Sequence, residues 1–115
     1  IQRHNLAALM LAREESIDEF ALSLHTANLE RDRLKRRRLA RTDIVVRTLP
    51  QVACPVAGIW GEQDAVYRGL IHTIEPALKT APQYQSLTFL KQTGHWAQFE
   101  SSEDFNRSMS ALLAP

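Results

Sequence analysis

The sequence predicts an α/β chain in which a helical first part is followed by two parallel strands with flanking helices. Three observations carry this prediction. Apolar residues recur at helical spacing through the first half. The run Pro55-Val56-Ala57-Gly58-Ile59-Trp60 is almost wholly apolar and bounded by proline and glycine, as suits a strand buried on both faces. Strand, helix, strand and helix then alternate from Cys54 to Leu113, a βαβ pattern that requires parallel strands joined by a crossover.

Taken in order, Leu6, Leu9 and Met10, with Ile1 on the same face, predict a short helix over the first dozen residues, broken at Arg13 to Glu15. Ser16 followed by Glu19 is a capping-box pattern that starts a long helix. Its apolar face reads Ile17, Phe20, Ala21, Leu24, Ala27 and Asn28, with Leu34 beyond. Thr42 and Asp43 cap another short helix through Leu49, which Pro50 ends. The first strand runs from Cys54 to Trp60, and the polar loop Gly61-Glu62-Gln63-Asp64 follows. A helical stretch from Val66 to Thr80 is broken or restarted by Pro76. Ser86 to Leu90 reads as the second strand, Lys91 to Phe99 as a loop, and Glu103 to Leu113 as a closing helix behind a Ser101-Ser102 cap.

The boundary near Pro50 separates a helical segment, 1–49, from an α/β segment, 50–115. Two parallel strands alone leave open edges and an uncovered face, so further strands are expected from outside these residues. Ile1 stands where a translated chain starts with methionine, and the chain is expected to be cut from a longer one. By the same edge argument its strands should pair with the missing part or with a copy of the chain, giving a homo-oligomer.

Composition narrows the classes. With 44% hydrophobic and 23% charged residues the chain has an ordinary globular make-up, and a net charge of +1 gives no overall field to attract nucleic acid or an anionic membrane. No apolar stretch approaches bilayer length and no signal-peptide pattern opens the sequence, which predicts a soluble protein with no membrane partner. The single cysteine, Cys54, cannot form an internal disulfide; its place before an apolar run predicts a small buried residue in a reducing compartment, the cytoplasm.

In an open parallel sheet the ligand site lies beyond the carboxyl ends of the strands. Asp64 follows the first strand and His95 the second, so both leave at that edge. A carboxylate that accepts the imidazole Nδ1 proton fixes the tautomer and stabilises the imidazolium formed when Nε2 takes a proton from a nucleophile. Gly61 and Gly94 permit tight exits from the strands. Asp64 and His95 are therefore the candidate catalytic residues, in the order acid then histidine.

The residues Cys54-Pro55-Val56-Ala57-Gly58-Ile59-Trp60-Gly61-Glu62-Gln63-Asp64 resemble the strand-then-acid motif of the α/β-hydrolases, and Thr93-Gly94-His95-Trp96-Ala97-Gln98-Phe99-Glu100 resembles their histidine motif. The second motif, with Phe105-Asn106 after it, is similar to that of hydrolases that cleave carbon–carbon bonds in ring-fission products. The resemblance implies that residues 50–115 are the C-terminal part of the hydrolase core and 1–49 part of its helical cap. It implies hydrolysis of an ester or carbon–carbon bond through a Ser-His-Asp triad, without cofactor, on a small-molecule substrate. Where the carbon–carbon hydrolases have a cap arginine that holds the substrate acid, this chain has His25; Arg31 and Arg33 on the same helix are alternatives. Trp96 and Val66, next to the histidine and the acid, line the pocket or pack the fold.

No Gly-x-Ser-x-Gly elbow occurs around the four glycines, and Ser86, Ser101, Ser102, Ser108 and Ser110 read as strand edge, caps or helix surface. The nucleophile, serine or the aspartate of dehalogenases and epoxide hydrolases, is expected upstream, and the chain alone should not turn over substrate. His4, His25 and His72 show no metal-ligand spacing with one another or with Cys54. The basic run from Arg31 to Arg38, with Arg41 beyond, reads as a solvated helix end without stacking aromatics, not as a nucleic-acid site. The alternative of a different class is a non-catalytic interaction module that pairs through its open sheet edge or basic helix.

Overall fold

The computed structural model describes residues 1–33 and 42–115. Leu34, Leu39, Arg41 and most of the basic run fall outside the described residues.

The first turns form as the apolar spacing predicts: helix α1, Gln2–Asn5, continues directly into a π turn, Leu6–Met10. A 3₁₀ turn, Glu14–Ser16, leads to the long helix α2, Glu19–Arg31. Its cap differs from the capping-box expectation. Ser16 is taken up in the 3₁₀ turn, and Asp18 is the N-cap, its Oδ1 accepting from Ala21 N at 2.7 Å. A carboxylate there meets both the free amide and the positive end of the helix. The buried face is also narrower than predicted, with Ala21 and His25 inside and Phe20 65% exposed, stacked on Phe99 at 6.0 Å between ring centroids.

Leu6, Leu11, Ile17 and Ala21 form a buried cluster, against which Met10, Leu22, Trp96 and Phe99 pack. The helical N-terminal residues therefore share one core with the segment around His95. Burying a leucine such as Leu6, fully enclosed here, contributes roughly 1.5–3 kcal/mol.

Helix α3, Ile44–Thr48, passes into a 3₁₀ turn, Leu49–Gln51. The α-helix thus ends just ahead of Pro50, as expected, and Pro50 lies in the 3₁₀ turn that follows, where a first turn has no use for the missing N–H. Cys54 is exposed, which corrects the expectation of burial: it lies in the approach to the strand, two residues short of its first paired position.

Strands β1, Val56–Gly61, and β2, Tyr84–Leu90, pair in parallel with Gly58 opposite Leu87 and Gly61 opposite Leu90. Together they make a two-stranded sheet among the described residues, with helices around it. β1 is only partly buried along its length. The predicted helix from Val66 to Thr80 is instead two 3₁₀ turns, Ala65–Tyr67 and Ile71–Thr73, followed by the short α4, Ile74–Leu78. Gly69, at φ 77, separates the turns, and Pro76 sits in the first turn of α4. After β2 the chain turns through Gln92, whose φ of 51 costs a non-glycine residue roughly 1–2 kcal/mol. Helix α5, Ala97–Glu100, which the sequence reads as loop, and α6, Ser102–Leu113, close the chain. Among the described residues no helix is long and apolar enough to cross a membrane.

One surface cluster ties α4 to β2. Lys79 Nζ and the Tyr84 hydroxyl both reach Glu75 Oε1 at 3.2 Å. The hydrogen bond from Lys79 first, and that from Tyr84 second, hold the Glu75 carboxyl below its ordinary value of 4.5. A depressed carboxyl contributes stability above its unfolded pKa, and that contribution is lost as pH falls through the folded value. Nuclear magnetic resonance titration of the Glu75 carboxyl should therefore give a midpoint below 4.5. A midpoint at or above that value contradicts the pairing.

Candidate active site at the strand ends

The site is built where β1 and β2 stop side by side. Beyond the register pair Gly61 and Leu90, Glu62 N donates to Leu90 O and Gln63 N to Thr93 O, each at 2.9 Å. The loop carrying the acid is thus sewn to the loop carrying the histidine. The approach is closer than any side chain would allow. A Cβ on Gly61 would lie 2.1 Å from Gly94 O and 2.4 Å from Thr93 O.

Asp64, 4% exposed, ends the acid loop. Its Oδ1 accepts from Val66 N at 2.9 Å, the Asx-type contact that opens the 3₁₀ turn Ala65–Tyr67. Its Oδ2 accepts from Trp60 Nε1 at 3.0 Å and lies 2.9 Å from His95 Nδ1. Two N–H donors and the imidazole Nδ1 on two oxygens leave the carboxylate little rotational freedom. With Nδ1 donating to Asp64, the Nε2 of His95 carries the free lone pair and is the atom able to take a proton.

The His95 side chain is 39% exposed and borders a cleft of about 150 Å³ with Ile59, Trp60, Ala97, Gln98 and Phe105. A larger cleft of about 370 Å³ borders Asp64 on the side of Ala7, Leu11, Ala12 and Arg68. Among the described residues no serine, threonine or cysteine is hydrogen-bonded to His95. The hydroxyl of Ser101, expected to cap α6, lies instead 2.6 Å from that of Thr93.

The other residues singled out from the sequence take different places. Val66 touches the acid through its backbone, and its side chain is half exposed. Trp96 is half-buried, packed edge-on to His25 at 6.0 Å and to Phe99 at 5.9 Å between ring centroids. His25 is buried on α2, and its Nε2 has no hydrogen-bond partner among the described residues. No group of three or more His, Cys, Asp or Glu residues among those described is placed to hold a metal.

Two site residues were missed in the sequence. Trp60, given no role beyond ending the first strand, is half-buried with its ring edge-on to Tyr67 at 5.2 Å, and it donates to the acid. The four-residue spacing from a strand-ending tryptophan to the aspartate was the available signal. Glu100, inside the histidine motif but given no role, has a side chain with no exposure at all. A buried carboxylate is rare enough that its partners matter.

The chain has no matching family model, no matching curated protein and no matching solved structure.

Proposed function

We propose that this chain is the C-terminal part of an α/β-hydrolase and supplies the acid, Asp64, and the general base, His95, to a nucleophile carried outside these residues. The observation that carries the reading is the 2.9 Å contact between His95 Nδ1 and Asp64 Oδ2 at the carboxyl edge of a parallel pair of strands. In this reading His95 Nε2 removes the proton of a serine as it attacks an ester or carbon–carbon bond, and returns it to the leaving group. Asp64 holds the imidazole in the required tautomer and stabilises its charged form. An aspartate nucleophile would use the same pair to activate water in a second step.

His25, Trp96 and Val66 are assigned to the substrate side, and residues 1–49 to the cap over it. The partly exposed imidazole beside a cleft supports access for a small molecule. No cofactor enters this chemistry. Among the described residues the sheet has two strands with open edges, which supports pairing with the hydrolase's remaining strands or with a second copy. The lone Cys54 supports a reducing compartment such as the cytoplasm.

The second reading, a non-catalytic module that binds through its sheet edge, is favoured by the apolar groove between β1 and α6 lined by Ala57, Ile59, Phe105, Met109 and Leu113. One experiment separates the two. The chain alone and the product of the reading frame extended upstream are assayed on p-nitrophenyl butyrate. Hydrolysis only by the extended product, with a Gly-x-Ser-x-Gly or equivalent aspartate elbow in the added part, is the expected result. An extension with no elbow and no turnover overturns the hydrolase reading.

A further inference from the structure

We infer that Glu100 is the positioning residue for His95, a clamp that ties the backbone on the N-terminal side of the histidine to the segment 10–13. The inference rests on the reading of His95 as the general base and goes beyond it.

The carboxylate of Glu100 is enclosed away from bulk solvent, so its charge must be met within the protein, here by backbone amides. Oε2 accepts from Gly94 N at 2.5 Å and from Ala12 N at 3.1 Å, and Oε1 accepts from Arg13 N at 2.7 Å. The Arg13 guanidinium lies alongside, with Nε 3.8 Å from Oε1 and Nη2 donating to the Glu100 carbonyl. On the other side of His95, Trp96 N donates to Met10 O at 2.9 Å. The amides of the two residues flanking His95, Gly94 and Trp96, are therefore fastened to one short stretch of chain, the first through Glu100 and the second directly.

Gly94 completes the device, because a Cβ there would lie 2.8 Å from both Ala12 N and Met10 O. The histidine loop and segment 10–13 meet backbone to backbone, which is what lets a single carboxylate reach amides on both. Among the described residues the side-chain hydrogen bond of His95 is the Nδ1 contact to Asp64, so the direction of its ring depends also on where Gly94 and Trp96 are held. Asp64 is oriented separately, by Trp60 and Val66. The two side chains thus have different direct supports, although their loops are joined through Gln63 N and Thr93 O, and that difference makes the clamp testable.

Glu100→Gln keeps the shape but puts an NH₂ where one oxygen accepted, so it must face either Arg13 N or the amides of Gly94 and Ala12 as donor against donor. The test is nitrogen-15 spectroscopy of the imidazole and indole signals in the 115-residue chain. In the parent chain His95 should show the Nδ1-protonated tautomer. In Glu100→Gln the population of that tautomer relative to the Nε2-protonated form should fall about tenfold, the equivalent of one charge-assisted hydrogen bond, while the Trp60 indole signal holds its position. A glutamine variant that keeps the parent's His95 signals overturns the inference.

Should that variant fail to fold, hydrogen exchange in the unaltered chain decides. The amides of Ala12, Arg13 and Gly94 should open together with similar protection. Fast exchange at Gly94 with protection retained at Ala12 and Arg13 overturns the clamp. These readouts involve no turnover, so failure of the hydrolase reading and failure of the clamp are separately visible.

Discussion

On the proposed hydrolase reading, replacing His95 by alanine in the upstream-extended product should lower kcat/KM for p-nitrophenyl butyrate by about 10⁴-fold or more. The size follows from the role. Without Nε2 a serine hydroxyl has no base to take its proton, and only binding and oxyanion stabilisation remain. The substitution should leave the fold nearly unchanged, since the side chain is 39% exposed and, among the described residues, its side-chain hydrogen bond is the one to Asp64. Steady-state kinetics with a circular dichroism control would measure both. A rate within about tenfold of the parent's would remove His95 from the mechanism, because even a single general base typically supplies 10²–10⁴-fold.

Gly61→Ala should be the most damaging small substitution in the chain. The added carbon would sit 2.1 Å from Gly94 O and 2.4 Å from Thr93 O, and both are backbone atoms of the loop that carries His95. Neither can swing aside as a side-chain tip could. The loops must part, and the bonds from Glu62 to Leu90 and from Gln63 to Thr93 would go with them. A loss of about 3–5 kcal/mol is expected, the upper range for single substitutions and comparable with the whole stability of a small domain. Gly69→Ala is the matched control: its Cβ would meet nothing within 4 Å, so only the positive φ is strained, at roughly 1 kcal/mol. Urea midpoints for the two variants give the comparison. Equal midpoints would mean that the acid and histidine loops are not in the contact described.

What could be read from the sequence was whatever depends on neighbours in the chain. The apolar run ending at Trp60 and the glycine after it placed β1 and its exit, and Asp64 and His95 follow from strand ends in a parallel sheet. Misreadings arose where a distant partner or a local rival decided. Ser16 and Asp18 are both good caps, and only the observed turn Glu14–Ser16 selects the second. Val66 to Thr80 has helical periodicity, but Asp64 takes Val66 N into its own turn and Gly69 adopts a left-handed conformation. Ser101 was a plausible cap until Thr93, eight residues back, engaged its hydroxyl. Glu100 was the hardest to foresee, because nothing near it in sequence announces that its amide partners include Ala12 and Arg13.

Those last bonds span 88 and 87 positions, from near one end of the chain to near the other. As the polypeptide leaves the ribosome, Leu6 and Leu11 emerge long before the aromatic rings of Trp96 and Phe99 that will cover them. Contacts so far apart form late, after the entropy of closing a long loop has been overcome. Between those two moments of synthesis Leu6 and Leu11 lack the rings that cover them, so this stretch of the nascent chain is prone to aggregation until the histidine loop has been made.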